Sequence, residues 1–213
     1  MRFKRIKKVF ASEEWGIAYR KKQTGSFNAD SFKGEYIPLK NNLKYWFADP
    51  LAIGGTDGKP LLFVEAFSRR RDRGEIGVIP FSDRGPQKYI PLIREQFHMS
   101  YPFIFKKDDR WYMIPETNQA KQLILYAADD FPFRWKRYKA LLDGKECVDT
   151  NVVDIDSTLF LITYEKGTPN KLVIYKIENG FNLKKQNEIK DSDNQRRGAG
   201  KSNRKIKRFF GRK

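Results

Sequence analysis

Short apolar runs separated by polar turns recur three times along this chain in the same order. Each repeat opens on a run interrupted near its start: Phe47-Ala48-Asp49-Pro50-Leu51-Ala52-Ile53, then Met99-Ser100-Tyr101-Pro102-Phe103-Ile104-Phe105, then Cys147-Val148-Asp149-Thr150-Asn151-Val152-Val153. A polar turn follows (55–58, 107–110, 154–157), and after it an apolar strand that ends at or next to an acid (61–65, 111–116, 159–165). A third strand is predicted over 75–80, 123–127 and 171–177, with a fourth over 89–93 and 135–140. Asp49 and Tyr101 are 52 residues apart, and Tyr101 and Asp149 are 48 apart, the length of one propeller blade rather than of a helical repeat. The runs are short and rich in Val, Ile, Tyr and Phe, so they read as strands. The fold expected is all-β, a series of four-stranded antiparallel blades, with a lone strand over 15–20 ahead of the first repeat.

Blades of a propeller are set around an axis, and equivalent positions on their first strands converge there. Asp49, Tyr101 and Asp149 are therefore expected on innermost strands, facing one cavity. The runs Phe103-Ile104-Phe105 and Leu123-Ile124-Leu125 belong to the core. Trp46, Trp111 and Trp135 each have a flat apolar face able to stack on a sugar ring, but blade packing suits Trp111 and Trp135 better, which leaves Trp46 as the binding candidate. Ser100 and Tyr101 join it from the second repeat. An Asp before Pro or Thr can also bond local backbone amides. The acids Glu65 and Glu165, at the ends of second strands, read first as ties between adjacent blades, with Glu65 kept as a binding candidate as well. His98, the only histidine, is either a hydrogen-bonded packing residue or part of the site.

Composition narrows the class. The chain has 213 residues, 39% of them hydrophobic and 15% aromatic, enough for one sizeable core. No run approaches the roughly 18 to 20 apolar residues that cross a bilayer. Residues 1–10 are charged without a signal-type apolar stretch, so the expected location is the cytoplasm. Cys147 has no disulfide partner and no His or Cys at metal-ligand spacing, so neither a metal nor another cofactor is expected. The net charge of +17 is concentrated at the ends: residues 1–8 carry five basic groups and 196–213 carry nine with no acid, leaving +3 for everything between. The expected organisation is a basic segment over 1–12, blades over 13–190 and a basic tail over 191–213. That tail is expected to be disordered or at most a short exposed helix over 203–210, with Ile206, Phe209 and Phe210 forming an apolar face able to rest on an anionic membrane. Solvated ends are the first reading of such charge, so nucleic-acid binding is disfavoured. Gly200-Lys201-Ser202 ends like a phosphate loop, but Gln195 stands where the first glycine belongs, and the polar stretch 187–195 supplies no apolar strand to feed it. One more period beyond Asp149 arrives at Arg197, where the tail begins. A fourth blade's first strand is therefore missing, and the expectation is a truncated reading frame or an array completed by another chain.

Phe47-Ala48-Asp49-Pro50, Gly74-Glu75-Ile76, His98-Met99-Ser100-Tyr101-Pro102-Phe103, Tyr112-Met113-Ile114-Pro115-Glu116 and Val148-Asp149-Thr150 follow one another in this order. Together they resemble the domain at the N-terminus of plant glucosamine inositolphosphorylceramide transferases, found also in bacterial polysaccharide-biosynthesis proteins where it can accompany a formyltransferase-like domain. The resemblance covers roughly residues 13–180; Trp15-Gly16-Ile17-Ala18-Tyr19-Arg20 is similar to the opening strand, and Arg197-Gly198-Ala199-Gly200 to the start of a fourth repeat. It implies the five-bladed propeller of glycoside hydrolase families 43, 32 and 68, of which about three complete blades are present here. It implies a carbohydrate or glycoconjugate ligand, and a glycosyltransferase or formyltransferase domain as partner. It also implies Asp49 as a base, since similar glycosidase propellers place theirs in an Asp-Pro that opens a blade's first strand.

Inverting hydrolysis needs one carboxylate to activate water and one protonated carboxyl to serve the leaving oxygen, about 6.5 to 9.5 Å apart. The acids available in the repeated words are Asp49 as base, Glu116 as acid and Asp149 to tune the acid's pKa. Tyr101 replaces the acid of the second repeat, so the axis has one carboxylate fewer than the propellers it resembles, which favours recognition over turnover. The function expected is a carbohydrate-active propeller, sugar-recognising or glycosidase-like, in the assembly of cell-surface glycans. Two alternatives stand: an active glycoside hydrolase or transferase using Asp49 and Glu116, and a non-enzymatic scaffold whose basic tail binds nucleic acid or membrane.

Overall fold

The computed structural model describes residues 14–20, 34–55 and 57–191, Asp191 by its backbone. The basic segment 1–12, the tail beyond 191 with its expected helix, and the run at 200–202 lie outside the described residues. The described chain opens with β1 (Ile17–Tyr19), paired antiparallel with β2 (Ile37–Leu39). Blade one holds β3 (Tyr45–Gly54), β4 (Pro60–Ser68) and β5 (Arg73–Ser82), whose end folds back on β6 (Gly85–Pro86) and whose outer edge takes β7 (Ile90–Ile93). Blade two is β8 (Ser100–Lys107), β9 (Arg110–Glu116), β10 (Gln122–Asp130) and β11 (Arg134–Asp143). Blade three is β12 (Cys147–Ile155), β13 (Thr158–Glu165), β14 (Asn170–Ile177) and β15 (Leu183–Asp191). Strands neighbour one another in sequence order, so β3, β8 and β12 are inner edges and the last strand of each blade is an outer edge.

Local chemistry sets these meanders. Asp108-Asp109 and Asp156-Ser157 both have positive φ (49° and 57°; 50° and 60°) inside two-residue turns. That is the turn whose twist matches antiparallel strands, and Asp tolerates it. Strands β4 and β10 are buried along almost their whole length and read as continuous apolar runs, because both faces of a middle strand meet a neighbouring blade. The stretch from 187, too polar to read as a strand, is the second half of β15. An outermost strand pairs only with β14 and turns most side chains to solvent, so no apolar alternation is required of it.

The core lies between blades rather than inside them. Phe63, Ile76 and Val78 of blade one meet Ile104, Met113, Ile124 and Tyr126 of blade two. Ile114, Leu123 and Leu125 of blade two meet Val152, Leu161, Val173 and Tyr175 of blade three. Ile17 and Leu39 cover the other face of blade one at Phe47, Leu62, Val64 and Ile79. The lone strand expected over 15–20 therefore has a partner, β2, whose Ile37–Leu39 is too short to stand out in sequence. Trp111 stacks on Phe131, centroids 4.4 Å apart, and Trp135 meets Phe63 edge-on at 6.3 Å, so both pack between blades one and two. Among the described residues no helix is long and apolar enough to cross a membrane.

Candidate functional site

In every blade the first and second strands slip register at one place. Ala48 pairs with Glu65 but Leu51 with Phe63; Ser100 pairs with Glu116 but Phe103 with Ile114; Val148 pairs with Tyr164 but Asn151 with Ile162. Asp49-Pro50, Tyr101-Pro102 and Asp149-Thr150 thus each oppose a single residue, making the same β-bulge three times. Asp49, Tyr101 and Asp149 all hold a left-handed backbone, with φ of 47°, 46° and 51°. For a residue with a Cβ this conformation costs about 1 to 2 kcal/mol, and Tyr101 lacks the short polar side chain that eases it for Asp. Proline in the second bulge position of two blades has no N–H to lose where the ladder is broken. A bulge re-aims the side chain it carries, and here all three are on inner strands.

Their groups meet across the blades. Asp49 Oδ2 accepts the Tyr101 backbone N–H at 3.1 Å, and the Tyr101 hydroxyl donates to Asn151 Oδ1 at 3.1 Å. The Asp149 backbone N–H reaches Glu116 Oε2 at 3.4 Å, while Glu116 Oε1 accepts the Asn118 side-chain amide at 2.9 Å. A carboxylate of one blade therefore holds the bulge amide of the next, twice over. Burial raises the Tyr101 hydroxyl above its ordinary range, against the bond to Asn151 and with the charges of Asp149 and Asp49, so it stays a donor.

Glu65, 5% exposed, joins this cluster. Burial first, then the charges of Asp49 and Glu116 and a hydrogen bond with Asp49, push its carboxyl up to about 8. It therefore carries a proton at neutral pH and donates it toward Asp49. His98 Nε2 lies 3.4 Å from Glu65 Oε1, and His98 Nδ1 accepts the Gly74 N–H at 2.9 Å. Since Nδ1 accepts, the ring proton sits on Nε2 and faces Glu65. Burial lowers the His98 pKa against the pull of Asp49, so the pair meets as two neutral groups. Gly74 permits the approach: a Cβ there would stand 2.3 Å from the Met99 carbonyl oxygen and 2.6 Å from Glu65 Oε1.

Asp49, Tyr101, Asp149, Glu116, Glu65 and His98 thus form one connected cluster. Ser100 is buried opposite Glu116 at the edge of its bulge. Trp46 pairs across the ladder with Phe67, rings 4.6 Å apart and within 5° of parallel, and Phe67 lies 6.1 Å from the His98 ring. Glu165 is not the third equivalent of Glu65 and Glu116: Tyr164 holds that register, and one residue further on a strand is the opposite face. Glu165 instead accepts Lys145 Nζ at 2.8 Å and the Tyr175 hydroxyl, tying the loop before β12 to its own blade.

Sequence reasoning passed over Asn151, Asn118, Gln119, Phe67 and Gly74. Asn151 carried a signal, being polar where the other bulges are followed by Leu51 and Phe103. Gln119 Oε1 accepts the His98 backbone N–H at 2.6 Å. His98, Asn118, Gln119, Glu146 and Lys166 line a cavity of about 430 Å³ at this end of the blades. The larger cavity, about 630 Å³, lies on the flank of blade one among Leu39, Tyr45, Phe47 and Tyr89, and none of the clustered acids lines it. Among the described residues no group of three His, Cys, Asp or Glu is placed to hold a metal ion.

The family model of glucosamine inositolphosphorylceramide transferase 1, N-terminal, matches residues 42–206. Glucosamine inositolphosphorylceramide transferase 1 of Oryza sativa subsp. indica is 37% identical over 102 residues, which is 47% of this chain and only 14% of that relative's length. An endo-1,4-beta-xylanase from Bacteroides thetaiotaomicron superposes with a TM-score of 0.56 at 16% identity. A thermostable family-43 glycoside hydrolase superposes equally well, TM-score 0.56 at 15% identity; each alignment covers 74% of this chain and 64% of the other. At such identity the likeness shows the fold, that of the five-bladed family-43 propeller, with three blades among the described residues. The chain is a carbohydrate-related module built on it.

Proposed function

Since the chain belongs to the family of glucosamine inositolphosphorylceramide transferase 1 N-terminal domains, we propose that it is a sugar-recognising propeller, holding the sugar of a glycoconjugate in its axial cluster during the assembly of cell-surface glycans. The observation that carries this is the state of Asp49. Its carboxylate accepts the Tyr101 N–H at 3.1 Å and shares a hydrogen bond with protonated Glu65. A carboxylate held by these two donors is fixed in orientation and keeps its remaining lone pairs for sugar hydroxyls. Glu65 acts on a ligand through Asp49. Trp46 on Phe67 offers a stacking face beside them, and Asn118 and Gln119 offer amides. In relatives the partner is the remainder of a transferase many times longer than this match, and a glycosyltransferase domain is the partner proposed here.

The test is titration of the full chain with xylo- and galacto-oligosaccharides by calorimetry, with reducing ends assayed in parallel. Binding without release of reducing ends is expected, weakened about tenfold or more by Trp46→Ala, a stacking loss of about 1.4 kcal/mol. Unchanged affinity in both Trp46→Ala and Asp49→Ala would sink the axial site. A second reading keeps a specific support, the family-43 fold with Asp49 and Glu116 both in the axial cluster: Asp49 activates water and Glu116, once protonated, serves the leaving oxygen. It requires reducing ends to appear with the native chain and to vanish in Asp49→Asn while binding remains.

A further inference from the structure

The turn from β4 to β5 runs Arg69-Arg70-Arg71-Asp72-Arg73. It stands at the end of blade one where the axial cluster opens: Gly74, next to Arg73, donates to His98 Nδ1 at 2.9 Å, and His98 Nε2 is 3.4 Å from Glu65 Oε1. The equivalent turns of blades two and three supply Asn118 and Gln119, and Lys166, which line the 430 Å³ cavity with His98 and Glu146. Asn118 in turn donates to Glu116 at 2.9 Å, so the cavity and the acids are contiguous.

Basic side chains are in excess on the β4–β5 turn, four arginines against Asp72. Arg69 pairs with Glu14, while Arg71 and Arg94 share the single buried carboxylate of Glu75. Arg73 spends its guanidinium on the carbonyls of Arg71 and Gln96. Lys121 pairs with Glu146 of the same cavity at 3.9 Å, while exposed Arg70 and Lys166 enter none of the ion pairs among the described residues. The interior of the site, by contrast, is lined by Asp49, Glu116 and Asp149.

We propose that the ligand of the axial site is an acidic sugar, bearing a phosphate or a carboxylate that Arg70 and Lys166 hold at the mouth while its ring lies against Trp46 and its hydroxyls meet the acids within. The proposal rests on the axial cluster being a sugar site. A guanidinium matches either oxyanion with two parallel hydrogen bonds, and a neutral hexose offers these cations nothing comparable. The carboxylates inside repel the anionic end, so the charge pattern also fixes which end of the ligand enters.

The experiment is calorimetric titration of the full chain with glucose and galactose, their 1-phosphates, the corresponding uronic acids, and inorganic phosphate. Each acidic sugar is expected to bind about tenfold or more tightly than its neutral parent, a gain of about 1.4 kcal/mol. Arg70→Ala and Lys166→Ala should bring it down to the parent's affinity, while Lys184→Ala, an exposed cation on β15, should not. The phosphate and uronate arms tell which oxyanion is preferred. Equal affinity for neutral and acidic sugars, acidic affinity indifferent to Arg70→Ala and Lys166→Ala, or inorganic phosphate bound as tightly as a phosphosugar overturns the acidic class and leaves the sugar site standing. No binding of any sugar overturns the sugar site and the proposal together.

Discussion

Glu65 holds its proton because three conditions coincide: it is buried, two carboxylates face it, and Asp49 takes the hydrogen. With a folded pKa of about 8 against an ordinary 4.5, the folded state binds this proton more tightly than the unfolded chain. The resulting stabilisation is complete below the unfolded value and is lost as pH rises from about 4.5 to about 8. His98, its pKa lowered, works the opposite way, its contribution being lost as pH falls below the ordinary histidine range. Comparing the native chain with Glu65→Gln isolates the first term. Thermal unfolding at pH steps should show the native chain losing stability relative to Glu65→Gln between pH 5 and 8, by on the order of a few kcal/mol. Parallel curves would mean that Glu65 is ionised throughout. At this scale Asp49, Tyr101 and Asp149 were legible because a repeat marks equivalent positions even when their residues differ. Gly74 was not, because the reason for a missing Cβ lies in Met99 and Glu65, far from it in sequence.

The element that makes the site is the bulge, and sequence shows it only indirectly. Asp-Pro, Tyr-Pro and Asp-Thr interrupt apolar runs that otherwise continue as strands, and it is the two-against-one pairing that turns those first residues inward. Register was the hidden variable. Glu165 looks equivalent to Glu65 and Glu116 in a count along the chain, yet Tyr164 occupies their place, and a slip of one residue exchanges the faces of a strand. Strand positions were readable wherever burial on both faces enforces an apolar run, as in β4, and obscure at outer edges such as β15. The same contrast predicts mutational sensitivity. Phe63 on β4 is fully buried against Phe131 and Trp135 of the next blade, so Phe63→Ala should cost about 3 to 5 kcal/mol in denaturant unfolding. Lys184→Ala on β15 should stay within about 0.5 kcal/mol. Comparable losses in the two variants would contradict a core placed between blades.

As a whole, the described chain is a series in which each blade packs only on its neighbours, with one apolar core per junction and the axial hydrogen bonds of Asp49 and Glu116 crossing the same junctions. The blade count and the series were legible in the repeat; the cover of β1 and β2 over blade one was not, since it depends on three-residue strands. In an array of this kind stability is roughly a sum of unit terms and nearest-neighbour interfaces, so the unit flanked on both sides is the hardest to open. Among the described residues blade two is the unit with a complete blade on each side. Its β10 pairs with β9 and β11, and Leu123, Ile124 and Leu125 are fully buried, divided between the two cores. Hydrogen exchange followed by mass spectrometry should therefore find the amides of β10 slowest, those of β5 and β14 intermediate, and those of β1, β2 and β15 fastest. An acidic sugar bound at the axis would slow exchange at the bulges of blades two and three, because the amides of Tyr101 and Asp149 are held by the carboxylates that would bind it. Uniform exchange across β1, β10 and β15 would show instead that the blades open together as one cooperative body.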